Sequence, residues 1–230
     1  MFVFIDVHVI IVINMKSIFD RNYFTKEYYY KRKRSNYSNY SRFDNNAFWR
    51  PVIKVIKKYK MSGNFLDLGC AFGFLSKRVI PYFTNVYGLD ISEYAISRAQ
   101  NQTDSVRFVS ADLNKKTLPY NDNYFNCVAA LDIIEHTEST ENTLKIITKK
   151  LAPNGYLIIG FPVRDTVMGK IVGIFDKDPT HISIVNRKTL KEQILKAGLS
   201  VVEQHYFTKV LGVHVRGLSG NIFIVARKQK

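Results

Sequence analysis

The stretch FLDLGCAFGFLSKRV, Phe65–Val79, decides the fold. A short apolar run leads into a turn of small residues, Gly69, Ala71 and Gly73, and Phe74 then opens a helical pattern. A strand, a Gly-rich turn and a helix in that order form the first unit of an open parallel sheet. In such sheets ligands lie beyond the carboxyl ends of the strands, where strand order reverses. Small residues let a ligand approach the backbone, and the first amides of the helix favour electron-rich groups. The pattern predicts a strand over Asn64–Cys70 and a helix over Phe74–Ile80, stopped by Pro81.

Outward from this unit, strand and helix patterns alternate. Strands are expected over Asn85–Ile91, Val106–Val109, Phe125–Leu131, Tyr156–Phe161, Val201–Tyr206 and Asn221–Ala226. Helices are expected from Ser92, a capping residue, to Gln100, over Ser139–Leu151, and over Lys188–Ala197. Pro153, Asn154 and Gly155 read as a stop and turn, and Gly198 closes the last helix. This spacing indicates a mostly parallel sheet covered on both faces. The last two strands are joined by LGVHVRGLSG without a helix, which suggests an antiparallel hairpin at one edge.

The second strand ends in YGLDIS, with Asp90 seventeen residues beyond Gly73. An ionised carboxylate there can accept hydrogen bonds from both hydroxyls of a ribose. The third strand ends in SADL, where Asp112 can take an adenine amino group while Ile91 and Leu113 give flat apolar contact. Each piece alone is weak; their order and spacing together point to a nucleoside site. A dinucleotide dehydrogenase is the rival, but the G-x-G-x-x-G run is absent. Asp67, inside the first strand, is also awkward beside a pyrophosphate and useful near an ammonium and a sulfonium.

Taken together, FLDLGCAFGF, YGLDIS, SADL, FNCVAALDIIEH and LAPNGYLIIGFP resemble the class I, Rossmann-like S-adenosylmethionine-dependent methyltransferases, in particular their small-molecule group. The resemblance covers about Asn64–Pro162. It implies an α/β fold with a seven-stranded, mostly parallel sheet in the order 3-2-1-4-5-7-6, the last strand antiparallel, and helices on both faces. It also implies S-adenosylmethionine as methyl donor and no metal. By matching positions, Asp67, Gly69, Ala71 and Gly73 would surround the methionine portion, Asp90 and Ile91 the ribose and adenine, and Asp112 and Leu113 the adenine edge. Leu131 would offer its carbonyl to the methionine ammonium. Ala71 stands where the family has Gly, a replacement that is tolerable if φ stays negative.

The acceptor side is harder to read, because methyl transfer to an aligned nucleophile needs positioning more than a fixed set of catalytic groups. His136, in IIEH after the fourth strand, is a candidate for acceptor contact; orienting a loop or capping a helix is the plainer role. Glu135 reads as structural or helix-facing. His181, in DKDPTHIS, is the better candidate for a general base, although DPTH also reads as a turn. Residues 132–137 and 162–187 are expected to form the acceptor pocket. Residues 17–60, aromatic and basic, read as one or two helices and a polar loop, with Pro51 in a first helical turn. The resemblance makes this region a lid over the cofactor. Of Tyr28, Tyr29 and Tyr30, at most two can face inward, since adjacent helical residues diverge.

The formal charge is +15, and residues 1–60 hold 13 Lys and Arg against four acids. The run KRKR at Lys31–Arg34 between tyrosines invites a nucleic-acid reading. A solvated basic face is the plainer one, and no RNA-binding module accompanies the run. The fourth strand lacks an Asn-Pro-Pro-Tyr loop, and neither cysteine lies in a Pro-Cys loop, so base methylation is disfavoured. Cys70 and Cys127 lie in apolar strand-like runs without CxxC or Cys/His spacing, which supports neither a disulfide framework nor a zinc site and fits a cytoplasmic setting. Phe2–Ile13 is too short to span a bilayer, which takes about 20 residues, and lacks signal-peptide features. Residues 1–16 are therefore expected outside the fold, with Met15 a possible start, an edge strand or a membrane-surface contact as alternatives, and residues 61–230 as the methyltransferase domain. Three functions remain open: a small-molecule methyltransferase, an RNA or protein methyltransferase, and a non-catalytic S-adenosylmethionine-binding module.

Overall fold

The computed structural model describes residues 19–31, 35–115, 117–210 and 213–229. Expectations for residues 1–16, Met15 included, and for Arg32–Arg34 of the basic run lie outside the described residues. The elements, in chain order, are α1 Lys26–Tyr30, α2 Asn46–Lys58, β1 Asn64–Leu68, α3 Phe74–Val79, β2 Asn85–Asp90, α4 Glu93–Gln100, β3 Val106–Ser110 and β4 Phe125–Leu131. They continue with α5 Thr140–Lys150, β5 Leu151–Pro162, α6 Val167–Phe175, α7 Arg187–Lys196, β6 Leu199–Val210, β7 Val213–Arg216 and β8 Asn221–Lys228.

One eight-stranded sheet runs β3-β2-β1-β4-β5-β8-β6-β7. Strands β3 to β5 are parallel, and β8 is antiparallel to both β5 and β6. This is the expected order with one strand added. Val213–Arg216, read from the sequence as part of a connection, pairs antiparallel with Phe207–Val210 and extends the edge. The central strands are buried on both faces, as their apolar runs require: Phe65, Leu66 and Leu68 of β1 and Cys127 to Ala130 of β4 are all at most 1% exposed.

Two apolar layers flank the sheet. On one side α3 and α4 pack with Phe65, Phe108 and Cys127, and on the other Leu144 and Ile147 of α5 and Leu190 and Ile194 of α7 pack with Leu66, Val128 and Ile159. Tyr28, Tyr29, Phe48 and Trp49, from the segment ahead of the sheet, belong to the first layer. That segment therefore shares the core of the main fold.

Three local readings need correction. Helix α2 begins five residues before Pro51, because Asn45 accepts from the Phe48 amide at 2.8 Å and starts the helix there. Pro51 is an interior residue whose missing N–H removes one helical bond. Helix α5 runs straight into β5, with Leu151 paired to Phe125; the bulge between Phe125 and Cys127, with Asn154 at φ 64°, absorbs the Pro-Asn-Gly turn within the strand. Cys70 lies in the turn after β1 rather than in the strand. Helix α6 was not foreseen.

Candidate functional site

The turn after β1 is anchored to the end of β2. Gly69 and Cys70 donate their amides to the Leu89 carbonyl at 2.7 and 3.0 Å. Gly69 has φ 74°, which a glycine adopts freely. Ala71 has φ 45°, so the negative φ that would make the replacement easy is not what the turn adopts. The left-handed geometry is kept with a methyl group in place, at about 1–2 kcal/mol. What holds it is Asp90: the Ala71 amide donates to Asp90 Oδ2 at 2.9 Å and the Ser92 amide to Oδ1 at 2.9 Å. Asp90 is 8% exposed, and burial, opposed by these amide bonds, raises its pKa. A carboxylate has about four acceptor positions, so Asp90 retains capacity for two hydroxyls.

A cavity of about 440 Å³ lies across the carboxyl ends of the central strands, a volume suited to a ligand-sized molecule. Asp67, Gly69, Ala71, Asp90, Ile91, Asp112, Leu113 and Leu131 all line it. Gly73 does not; a Cβ there would meet the Phe108 ring at 2.8 Å, so its smallness serves helix-to-sheet packing. Asp67 accepts from the Ser76 amide and hydroxyl at 3.0 and 2.6 Å, and burial pushes its pKa up to about 7. It is poised to ionise beside a cationic ligand. The lining therefore fits an adenosyl amino acid: Asp67 beside the turn of small residues, Asp90 at the end of β2, and Asp112 and Leu113 just after the adjacent strand β3.

The segment ahead of the sheet forms the roof. Tyr28 and Tyr29 are 5% and 3% exposed and line the cavity, while Tyr30 turns aside against Phe72. Two of the three adjacent tyrosines thus line the cavity. Tyr37 and Tyr40 also line the cavity, and the sequence reading missed them. They follow Tyr28 at intervals too irregular for a helical stripe. Phe24 is tied by its carbonyl to the Ser92 hydroxyl, beside Asp90.

Two imidazoles that line the cavity, His136 and His181, meet with centroids 4.7 Å apart. His136 Nδ1 pairs with Thr180 Oγ1 at 2.7 Å, and the Thr180 hydroxyl donates to Asp178 Oδ1 at 2.5 Å. The proton on His136 is thereby assigned to Nδ1. Burial and the neighbouring His181 push its pKa down to about 4. His181 Nδ1 pairs with Asp176 Oδ2 at 2.6 Å. Burial works against its protonation, but the Asp176 hydrogen bond and the charges of Glu135, Asp176 and Asp178 prevail and raise its pKa. Tyr28 closes the set by donating to Asp178 Oδ2 at 2.9 Å.

Glu135, read as structural, is 1% exposed and lines the cavity beside both rings. Its carbonyl accepts from the Ile182 and Ser183 amides, which brings the His181 loop to the end of β4. One ligand-type atom from each of Glu135, His136 and His181 falls within 4.8 Å of the others. Nothing in the residue spacing led to that grouping. Asp176, Asp178 and Thr180 were also missed as site residues; the DKDPTH run was visible, but not which of its oxygens would meet a histidine 40 or more positions away.

A family model described as a methyltransferase domain matches residues 40–204. A sterol 24-C-methyltransferase of Gibberella zeae is 32% identical over 120 residues, covering 49% of this chain and 29% of its own. A phosphoethanolamine N-methyltransferase of Caenorhabditis elegans is 28% identical over 171 residues, covering 68% and 37%. The chain thus spans about a third of the length of these relatives. The crystal structure of a magnesium protoporphyrin IX methyltransferase from Synechocystis, with bound S-adenosylhomocysteine, superposes with TM-score 0.58 at 22% identity over 79% of this chain and 82% of that one. With the model match extending over most of its length, the chain belongs to the methyltransferase domain family.

Proposed function

We propose that this chain transfers a methyl group from S-adenosylmethionine to an oxygen, nitrogen or carbon atom of a small organic molecule. The observation that carries the reading is that Asp90, Asp112 and Leu131, from the ends of β2, β3 and β4, line one cavity together with two adjacent imidazoles. Asp67, Ala71, Asp90, Ile91, Asp112, Leu113 and Leu131 would hold the donor, which supplies a methyl group on a positively charged sulfur. Asp90 binds the ribose hydroxyls while its backbone partners keep it oriented. Asp67 gives up its proton and faces the cationic portion.

At the other end His181 acts as the general base through Nε2, since Nδ1 is committed to Asp176. His136, neutral at physiological pH, orients the acceptor through its own Nε2. The aromatic roof of Tyr28, Tyr29, Tyr37 and Tyr40 excludes water from the cavity, which favours an in-line displacement. Residues 17–60, of which 19–31 and 35–60 are described, serve as the lid in this reading.

The test is formation of S-adenosylhomocysteine with a panel of small acceptors and with bulk RNA. Turnover of a small acceptor that is insensitive to salt supports the proposal. Transfer confined to RNA, and falling steeply as salt rises, would replace the small acceptor with a polyanion. Donor binding without turnover of any acceptor would leave a binding module.

A further inference from the structure

Helix α6 turns its apolar side away from the protein. Val167, Ile171, Ile174 and Phe175 are 79%, 44%, 77% and 72% exposed, while Gly169 is its buried residue. The four positions stand at i, i+4, i+7 and i+8, the spacing of a single helical stripe. A stripe of this kind ordinarily faces a core; here it faces solvent among the described residues. Leu218, 38% exposed, lies in a turn next to the helix. Its turn is fixed to the helix by the Thr166 hydroxyl on the Ser219 carbonyl at 2.7 Å and by Gly220 against Val172.

The charge around the stripe is one-sided. Thr166–Phe175 contains no acid, and Lys170 within it and Lys177 just after it are exposed. The two acids at its ends are each paired: Asp165 with Arg187 at 3.0 Å, and Asp176 with Arg164 at 2.5 Å and with His181. The chain as a whole carries +15. An apolar stripe rimmed by cations on a basic protein fits an interfacial helix on an anionic bilayer. At nine residues, or about 14 Å, it would lie on such a surface and could not cross it; no helix among the described residues is long and apolar enough to span a membrane.

We infer that α6, with Leu218, docks this protein on an anionic lipid surface. The docking face adjoins the acceptor end of the cavity. Asp176, the C-cap of α6, holds His181, and Asn36 of the roof donates to Asp176 at 2.8 Å and accepts from the Lys177 amide at 3.0 Å. A bilayer under α6 would thus lie against the seam between roof and acceptor loop.

Vesicle binding needs neither donor nor acceptor, so its outcome is independent of the methyl-transfer proposal. The full chain is sedimented with phosphatidylcholine vesicles and with phosphatidylcholine–phosphatidylglycerol vesicles, alongside the double variant Ile174→Ser, Phe175→Ser. The wild type should partition to the anionic vesicles, less so at higher salt. The variant should lose about tenfold or more of that partitioning with its melting temperature unchanged. Failure of the wild type to bind, or equal binding by the variant, overturns the inference. So does a fall of several degrees in the variant's melting temperature, which would mean that the chain itself covers the stripe. A wild-type dimer that the variant dissociates in sedimentation velocity would assign the face to a second copy instead.

Discussion

Asp90 does two jobs with one carboxylate: it holds the turn amides of Ala71 and Ser92, and it faces the cavity. Asp90→Ala should weaken S-adenosylmethionine binding by about a hundredfold or more, since a hydrogen bond to a charged group is worth about 1.5–3 kcal/mol and two hydroxyls lose theirs. Calorimetry on the folded variant measures this, and unchanged affinity would remove Asp90 from the ribose role. The same residue explains why Ala71 tolerates φ 45°. Ala71→Gly should relieve about 1–2 kcal/mol of left-handed strain and lose about 0.4–1 kcal/mol through a more flexible unfolded chain. A small net gain, about 0.5–1 kcal/mol in urea melts, is expected. A clear loss would show that the methyl group packs usefully.

At the scale of elements, the loop from α6 to α7 carries His181, the base of the proposed reaction. His181 is faced by Asp176 from its own loop, by Asp178, by Glu135 and His136 after β4, and by Arg164 through Asp176. Its pKa is raised, so in the proposed role kcat/KM should rise with pH through a midpoint above the ordinary histidine value. Asp176→Asn removes the charge that favours the imidazolium. The ascending limb should then move to lower pH, by about 1 pH unit, and the plateau should fall about tenfold or more because the ring loses its orientation. A profile that does not move would exclude His181 as the base. The pair also ties stability to pH. Burial opposes ionisation of Asp176, yet hydrogen bonds from His181 and Asn36 hold it well below the usual carboxylate range. Its contribution is lost as pH falls through that lowered value, and the His181 contribution is lost as pH rises through its raised value. The pair therefore stabilises most in the window between them.

For the molecule as a whole, a ligand that binds only the folded state adds about 2.7 kcal/mol at a hundredfold excess over its Kd. In a domain of this size each kcal/mol moves Tm by about 2–4 °C. Saturating S-adenosylmethionine should therefore raise Tm by about 5–10 °C, and NAD should leave it unchanged. The reverse result would favour a dinucleotide enzyme. Because Tyr28, Tyr29, Phe48 and Trp49 share a core with the sheet, the melt should remain a single transition.

Residue order alone determined the parallel part of the sheet and the strand-end side of the cavity. A strand, its turn and the next helix are contiguous, so Asp67, Gly69, Asp90 and Asp112 reach the carboxyl edge whatever the rest of the chain does. Even there the sign of φ at Ala71 was out of reach, because it follows from a hydrogen bond to a side chain on the neighbouring strand. Only the tertiary structure brought His136 beside His181, 45 positions later, and tied the loop between them to Tyr28 through Asp178, since such contacts depend on how loops close and not on any period in the chain. The same is true of α6: its stripe can be counted in the sequence, but whether a stripe faces core or solvent is decided by the packing of the residues around it.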